Sequence, residues 1–495
     1  MERMKNLQHY LDCSKEAWEQ PEVFWKTIGD TFDWIQGFSK AAPDFTQGFN
    51  NVEWFKDGML NITYNALDRH VKRHPEKIAL YFEPNGQNDI RKTFSYKELL
   101  DEVCRMAETL RSLGVKKGDT VTLYMGMNPW LMISVLACAR IGAIHSVVFG
   151  GFSAKSLSER IEDAGSKIII TQETASRGDK KLFLRKTVDE AIEILKAESS
   201  IHVLIFGQVV QPKSFHLCIE EYWQQKKIYL GIPSTIESMQ AEDPLFILYT
   251  SGSTGKPKGL LHTTAGYMVW AQYTFEQVFG VDKKNDIFWC TADIGWITGH
   301  TYVTYGPLLA GVSQVMFEGI PTYPTPQRWW NIIDHYEVTH FYTSPTAIRS
   351  LESLGLDYLK GTSLQSLKVL GSVGEPINAE AWEWYNANVG KNHCPIVDTW
   401  WQTETGGIMI STLAHVTECV PTFATQPLPG VYPALVDDKG RLDSSSHASG
   451  NLVIIRPWPG MARSIWKDHA RYLQTYFSTY PGYYFTGDGS LRNEK

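Results

Sequence analysis

The sequence predicts an α/β fold with two doubly wound βαβ subdomains and a smaller β-rich subdomain. Apolar strand segments alternate with amphipathic helical segments over residues 95–171, and the alternation returns after residue 243. Such alternation is typical of right-handed βαβ crossovers, in which helices cover both faces of a parallel sheet. From about residue 422 the pattern changes to short strand segments separated by Gly and Pro, which predicts the third subdomain.

Residues 1–65 form the first predicted unit, an arm rich in aromatic side chains without a regular period, and we expect it to pack over another surface. Residues 66–240 form the next unit. Its first helix begins with a capping box, because Ser95 is followed by Glu98, and is predicted to end at Gly114. Further strands are predicted over 120–125, 146–149 and 167–171, with helices through residues 137 and 161.

Residues 241–421 are predicted to hold a second sheet. Its strand candidates are 245–249, 339–342, 367–370 and 395–398, and its helical segments include 329–335 and 379–387. Residues 422–495 follow, with strand candidates at 431–436 and 451–455. The sequence therefore predicts two sheets of the βαβ type and a separate β-rich unit.

The composition indicates a soluble globular protein. Of its 495 residues, 43% are hydrophobic and 20% are charged, so the chain can bury large cores. The net charge is −7, and no run of Lys and Arg forms an electrostatic footprint for a polyanion. Nucleic acid and acidic membrane are therefore not expected as partners.

The cysteines and apolar segments predict a cytoplasmic location. The seven cysteines are widely spaced and include no C-x-x-C pair, which favours a reducing compartment. The N-terminus lacks the apolar core of a signal peptide, and the most apolar stretch, 130–152, is interrupted by Arg140 and His145. We therefore expect no membrane segment.

A polyphosphate-binding loop is predicted from YTSGSTGKPKG at 249–259, directly after an apolar strand segment. Glycines let backbone N–H groups turn toward an anion, hydroxyls add donors, and lysines add charge. Pro257 stands where a Walker A motif needs Ser or Thr, so the loop is of another type; the alternative is a surface turn. The predicted ATP-binding residues of the loop are Thr250, Ser251, Gly252, Ser253, Thr254, Gly255 and Lys256.

This loop resembles the signature of the adenylate-forming superfamily. WCTADIGWITGH at 289–300, VGEP at 373–376 and DTWWQTETGG at 398–407 look like the acetyl-CoA synthetase versions of superfamily motifs. The match extends to segments at 60–70, 341–349 and 484–488, so it spans nearly the whole chain. The resemblance implies that 1–65 is the N-terminal arm of such enzymes and that 66–421 is an AMP-binding domain with two α/β subdomains.

The resemblance implies an acetate–CoA ligase of the AMP-forming type. Such enzymes use ATP with Mg²⁺ as cofactor to convert a carboxylate into an acyl-adenylate and pyrophosphate, and then transfer the acyl group to coenzyme A. Since carboxylate and triphosphate are both anionic, the site must neutralise charge and hold the partners in line. The expected partners are the small molecules ATP, acetate and CoA.

The resemblance also assigns a nucleotide site. Each acid in it, taken singly, could be a solvated surface charge, but together they stand at family spacing. The residues are Gly374, Glu375 and Pro376 against the adenine; Asp398 and Thr399 at its edge, with Trp400 and Trp401 beside them; Gln402 and Thr403 near the α-phosphate; Glu404 as the metal ligand; and Asp488 at the ribose hydroxyls. Thr403 and Glu404 are the predicted catalytic residues.

Two further subsites follow from the resemblance. The acetate pocket is assigned to Ile297, Thr298, Val373 and Trp401, where a Trp would block the channel that longer acids occupy. The CoA site is assigned to Arg177, Gly178, Asp179, Lys180, Thr298, Thr322 and Ser344. Asp179 departs from the usual Gly and places a negative charge beside the expected phosphates, so a solvated charge cluster is the alternative for this loop.

In the family, the segment after the Gly-Asp at 487–488 leads to arginines, a hinge and a C-terminal domain with a catalytic lysine, none of which lies within residues 1–495. We therefore expect this chain, as an N-terminal domain, to bind nucleotide and to turn over slowly. A deacylase and an acyltransferase are expected as partners of the full-length enzyme only. The alternatives are a propionyl-CoA or other short-chain acyl-CoA synthetase and, in another class, a silent nucleotide-binding module.

Overall fold

The computed structural model describes residues 2–49, 51–197, 199–207, 209, 211–251 and 257–494. They form two large sheets with helices around them, a smaller antiparallel sheet, and an N-terminal arm. The α/β architecture predicted from the sequence is confirmed. None of the helices in the described residues has the length and apolar character needed to cross a membrane.

The N-terminal arm packs against the main body through aromatic side chains. Its helices are Leu7–Glu19 and Pro21–Gly29. Trp25 is fully buried, and its ring lies 5.4 Å from that of Trp54 and 5.9 Å from that of Trp270. The irregular aromatic pattern of the arm is therefore a packing pattern, because the rings fit between neighbouring elements and do not follow one helix face.

The first large sheet has eight strands. Six are parallel, and the last two pairings are antiparallel. In spatial order they are His216–Cys218, His202–Phe206, Ile168–Gln172, Thr120–Tyr124, Ile144–Val147, Pro244–Thr250, Lys258–Thr263 and Ser464–Ile465. The helices of this region are Tyr96–Ser112, Pro129–Arg140, Ala154–Ala164, Leu184–Leu195 and Ile219–Lys226.

The second large sheet has nine strands, of which the central six are parallel. In order they are Gln426–Pro427, Ile410–Ser411, Ile396–Trp400, Val369–Ser372, His340–Thr343, Ile287–Cys290, Ser313–Phe317, Ile78–Glu83 and Lys92–Ser95. Its helices include Arg328–Tyr336, Pro345–Glu352 and Ala379–Trp384, and a π-helical turn at Tyr385–Val389.

The strands do not divide between the two sheets at residue 240 as the sequence suggested. Pro244–Thr250 was expected in the second sheet but pairs with Ile144–Val147 in the first. Ile78–Glu83 precedes the first sheet in the chain, yet it pairs with Ser313–Phe317 in the second. A strand buried on both faces is apolar throughout, so its pattern does not identify its partner.

Strand ends also differ where the apolar run has no alternation. The strand expected at 146–149 is Ile144–Val147, and the strand expected at 367–370 is Val369–Ser372. By contrast, the capping box at Ser95 and Glu98 is present, and it opens the helix Tyr96–Ser112 as predicted. Local side-chain chemistry therefore predicted this helix start more accurately than hydrophobicity predicted the strand ends.

A buried helix and a third sheet complete the fold. The helix Thr264–Phe279 is buried along its length except at Glu276, as expected for a helix that is apolar on every side. The third sheet is antiparallel and has four strands: Leu442–Asp443, Pro433–Val436, Ala448–Ile454 and Tyr484–Arg492. The helix His469–Phe477 precedes its last strand.

Candidate active site

The predicted adenine residues meet at the carboxyl ends of two neighbouring parallel strands. Ser372, the last residue of one strand, pairs with Asp398 of the next. Gly374 follows at φ +96°, a backbone conformation that glycine adopts without strain. Asp488 of the third sheet lines the same cleft. Ligands of open α/β sheets bind at such carboxyl ends.

Glu375 fixes the turn that carries Gly374 and Pro376. Its carboxylate accepts hydrogen bonds from the Thr346 backbone N–H at 2.7 Å and from Arg349 at 2.9 Å. Burial acts to raise the pKa of Glu375, but these hydrogen bonds outweigh it and leave the pKa below its ordinary value. The turn is therefore tied to the helix that follows the adjacent strand.

The segment after the Asp398 strand is connected to the third sheet. Gln402 donates through Nε2 to Asp488 at 2.8 Å and to the Thr486 carbonyl at 2.7 Å. Trp400 donates its indole N–H to the same Asp488 carboxylate at 3.1 Å, and the Tyr484 hydroxyl donates to Gln402 at 3.1 Å. The predicted ribose and α-phosphate residues thus form one hydrogen-bonded group.

The predicted catalytic residues lie in the short turn Thr403–Thr405, which other elements hold in place. His262 contacts the Thr403 carbonyl through Nε2 at 2.8 Å. The buried Trp458 donates its indole N–H to the Thr405 carbonyl at 2.9 Å. Burial lowers the pKa of His262 to about 3, so the ring is neutral and Nε2–H is the donor to Thr403.

In the part of the chain that the structure describes, two polar groups approach the Glu404 carboxylate. The Tyr476 hydroxyl donates to its Oε1, and Lys258 Nζ lies 3.9 Å from the same oxygen. Among the described residues, no group of three acidic, His or Cys side chains could hold a metal ion alone. This single carboxylate fits Mg²⁺, which proteins bind through one or two carboxylates together with substrate phosphates.

Only the ends of the predicted phosphate loop fall in the described residues. Thr250 ends the strand Pro244–Thr250, exposed Ser251 follows, and Lys258 opens the next strand. Gly252, Ser253, Thr254, Gly255 and Lys256 lie outside the described residues. The two strands are antiparallel neighbours, with Thr250 opposite Lys258.

The predicted acyl-pocket residues belong to one apolar region. Ile297 and Val373 are buried in the same core, and half-buried Trp401 packs against it. The Trp401 ring contacts Tyr302 edge to face at 5.2 Å, and its N–H donates to the Tyr342 hydroxyl at 3.3 Å. The ring contact and the hydrogen bond therefore orient the indole together. Thr298, half-buried, follows Ile297 in the short helix Ile297–Gly299.

The predicted CoA loop is the tip of a small hairpin. Arg177 pairs with Lys180, and Gly178 and Asp179 form the turn. Gly178 has φ +65° and exchanges two hydrogen bonds with buried Asn85, at 2.7 and 2.9 Å. Arg177, Asp179 and Lys180 are exposed, so the charge of Asp179 is presented to solvent beside two cations.

Other predicted CoA residues lie around this hairpin. A side chain at Gly178 would meet Ile320, which places the hairpin against the segment that contains half-buried Thr322. Burial raises the pKa of Asp293 to about 6, and the charge of nearby Arg177 acts against this rise. Ser344 caps the helix Pro345–Glu352 by accepting from the Ala347 N–H. The described hydrogen bonds connect the hairpin to Asn85, not to Thr298 or Ser344.

Several residues that position the site did not stand out in the sequence. His262, Trp458 and Tyr476 contact the turn at 403–405 from distant positions in the chain. Tyr472 and Tyr476 stand four residues apart on one helix, a spacing that predicts a shared face. That spacing could have indicated a tyrosine face, but not the carboxylate it contacts.

Two families match the chain. Residues 67–466 match the family described as AMP-binding enzyme, and residues 10–66 match the family described as acetyl-coenzyme A synthetase N-terminus. Among solved structures, the fold matches an acetoacetyl-CoA synthetase from Streptomyces lividans with a TM-score of 0.86 and 22% identity, over 97% of this chain and 73% of that one. This likeness shows the adenylate-forming fold.

Curated relatives give a closer match. An acetyl-coenzyme A synthetase of Xylella fastidiosa strain 9a5c is 49% identical over 486 residues, which are 98% of this chain and 75% of the relative. One from Allorhizobium ampelinum is 50% identical over 488 residues, with 98% and 74% coverage. The chain therefore belongs to the acetyl-coenzyme A synthetase family of AMP-binding enzymes.

Proposed function

We propose that this protein is an AMP-forming acetate–CoA ligase. One observation carries the proposal: Gly374, Asp398 and Asp488 line one cleft, and Gln402, at the start of the turn 402–404, donates to the Asp488 carboxylate as Trp400 does. An adenine beside Gly374 would bring its ribose toward Asp488 and its phosphates toward Gln402 and Thr403. The order of these groups matches the order of groups in ATP.

The first reaction joins acetate to AMP. An acetate oxygen attacks the α-phosphorus, and the bond from that phosphorus to the β-phosphate oxygen breaks to release pyrophosphate. We assign Gln402 and the Thr403 hydroxyl to the α-phosphate, where they would stabilise its negative charge. Glu404 would hold Mg²⁺, which supplies charge neutralisation to the phosphates when it is bound.

The second reaction moves the acetyl group to sulfur. The CoA thiolate attacks the acetyl carbon of acetyl-adenylate, and the carbon–oxygen bond to AMP breaks. We assign the phosphates of CoA to the hairpin turn at Gly178, where Arg177 and Lys180 are exposed, with Thr298, Thr322 and Ser344 along the path toward the acyl pocket. Asp179 would weaken this site, because its exposed carboxylate carries the same sign of charge as the phosphate and would repel it.

The acid is proposed to be acetate because of Trp401. Its indole is fixed by Tyr302 and Tyr342, so a longer acyl chain could not displace it without breaking those contacts. Ile297 and Val373 supply buried apolar walls. A propionyl-CoA synthetase would need room for one more methylene at these walls.

Calorimetry and isotope exchange test the proposal. We expect isothermal titration to show ATP binding with Mg²⁺, and acetate to support ATP–pyrophosphate exchange more strongly than propionate. The expected slow turnover remains a prediction, which acetyl-CoA formation by the same sample measures. Binding of ATP without any binding of an acetyl-adenylate mimic would favour a silent nucleotide-binding module, and stronger exchange with propionate would favour the propionyl enzyme. Absence of ATP binding to folded protein would contradict all three.

A further inference from the structure

Two stacked tyrosines lie beside Glu404. Tyr476 is in the helix His469–Phe477, and its ring stacks on that of Tyr484 at 5.5 Å with 15° between the planes. The Tyr476 hydroxyl donates to Glu404 Oε1. The Tyr484 hydroxyl donates instead to Gln402, so each ring supports a different residue of the same turn.

Tyr476 also separates Glu404 from a lysine. Lys258 Nζ donates to the Tyr476 hydroxyl oxygen at 3.0 Å and lies 5.0 Å from the ring centroid. Its distance to Glu404 Oε1 is 3.9 Å, which is too long for a hydrogen bond. Both side chains are 14% exposed, so a direct pair between them would be only weakly screened by water.

We propose that Tyr476 is a positioning residue that keeps Glu404 available to Mg²⁺, an inference that rests on the proposed role of Glu404. The hydroxyl satisfies Oε1 and fixes the carboxylate, and it gives Lys258 an acceptor other than the carboxylate. Oε2 is then the oxygen that we assign to the cation. Groups that hydrogen-bond a metal-binding carboxylate orient it in this way.

Removing the hydroxyl should weaken Mg²⁺ binding without removing the ring. In Tyr476→Phe the stack with Tyr484 can persist, but Glu404 loses its donor and Lys258 loses its acceptor. The lysine can then move the short distance to the carboxylate and pair with it. Such an ion pair competes with Mg²⁺ for the same negative charge.

Calorimetric titration of ATP in Mg²⁺ and in EDTA tests the inference on the chain as it exists. The contribution of Mg²⁺ is measured by the ratio of the dissociation constant in EDTA to the dissociation constant in Mg²⁺. We expect Tyr476→Phe to lower this ratio by about tenfold, in the range typical for groups that support metal ligands. Tyr472→Phe is the matched control, because the Tyr472 hydroxyl donates to the Ala462 carbonyl and its loss should leave the ratio unchanged.

The outcomes separate the inference from the function on which it rests. If the wild-type chain does not bind ATP, the proposed function fails and the inference falls with it. If Glu404→Gln removes the effect of Mg²⁺ but Tyr476→Phe does not, only the inference is overturned. An equal loss of affinity in Mg²⁺ and EDTA would show a general structural role and would also overturn it.

A second variant covers the case in which Tyr476→Phe does not fold. Lys258→Met removes the competing cation and leaves the Tyr476–Glu404 hydrogen bond intact. ATP affinity should fall in both buffers, but the ratio between them should stay the same or rise. A fall in the ratio would mean that Lys258 assists Mg²⁺ binding, which contradicts the inference.

Discussion

Gln402 donates its side-chain amide to the Asp488 carboxylate across 2.8 Å, and this bond joins the second sheet to the third. Trp400 donates to the same oxygen at 3.1 Å. The carboxylate is therefore oriented before any nucleotide arrives, which reduces the entropy lost on binding. Its remaining oxygen can accept from hydroxyl groups in the cleft.

Asp488→Ala should weaken ATP binding, and the loss should come from the ribose. We expect a loss of about tenfold to a hundredfold, because hydrogen bonds to a charged group contribute about 1.5–3 kcal/mol. Titration with ATP and with 2′,3′-dideoxy-ATP measures it: the wild-type chain should prefer ATP, and the variant should bind both alike. Asp438→Ala, an exposed change on the same subdomain, is the control. A variant that still prefers ATP would place the ribose elsewhere.

The contiguous parts of this site were predictable, whereas their supports were not. Residues 398–404 stand together in the sequence, so one motif brings Asp398 and Glu404 to one place by chain connectivity alone. His262 and Tyr476 reach that turn from other elements. Their sequence surroundings indicate a strand and a helix, but a contact across the fold depends on packing that periodicity does not encode.

The same limit applies to the sheets. The strand at Pro244–Thr250 was predictable from its apolar run, since a buried strand needs apolar side chains on both faces. The strand that pairs with it was not predictable, because Phe246 could pack equally well beside any apolar strand. The pairing of Phe246 with His145 follows from the complete topology.

His262 should support Thr403 through one hydrogen bond. His262→Phe keeps a ring in a fully buried site but leaves the Thr403 carbonyl without its donor. Since one hydrogen bond contributes about 0.5–1.5 kcal/mol, we expect kcat/KM for ATP–pyrophosphate exchange to fall about two- to tenfold. His262→Gln can place an amide N–H near the Nε2 position and should recover part of the rate, whereas the shorter His262→Asn should not. Equal rates in all three variants would exclude this role.

Asp398 should make the folded state less stable as pH rises. Burial raises its pKa from 3.8 to about 6, and a hydrogen bond from the Thr399 backbone offsets this only in part. Between these values the folded chain keeps a proton that the unfolded chain has lost. The contribution of Asp398 to the free energy of unfolding therefore falls through this window, and the full cost is present above about pH 6.

Asp398→Asn should remove this cost. The variant should gain up to about 3 kcal/mol at pH 7.5 and much less at pH 4, because the native carboxyl is neutral at the lower pH. Urea unfolding of both proteins at the two pH values measures the difference. Asp438→Asn, on an exposed position, should show no such change with pH. A gain that is equal at both pH values would mean that shape rather than charge is responsible.

The acid that is activated should be set by Trp401 and Val373. A methylene that enters an apolar pocket contributes about 0.8 kcal/mol, while one forced against a rigid wall costs about 1–3 kcal/mol. The value of kcat/KM for acetate should therefore exceed that for propionate by roughly 10–200-fold. Val373→Ala removes two methyl groups and should make propionate equal to acetate. Trp401→Gly opens the pocket end, so it should admit longer acids and weaken acetate.

Acyl-adenylate binding can measure this preference apart from turnover. Titration with stable mimics of acetyl-, propionyl- and hexanoyl-adenylate compares the wild-type chain with both variants, and ATP–pyrophosphate exchange with the free acids gives kcat/KM. Trp330→Gly is a matched control, because this buried Trp lies in a separate core away from the cleft and its loss should affect stability rather than acyl preference. If Trp401→Gly leaves the chain-length preference unchanged, Trp401 does not close the pocket, and the assignment to acetate loses the observation that supports it most.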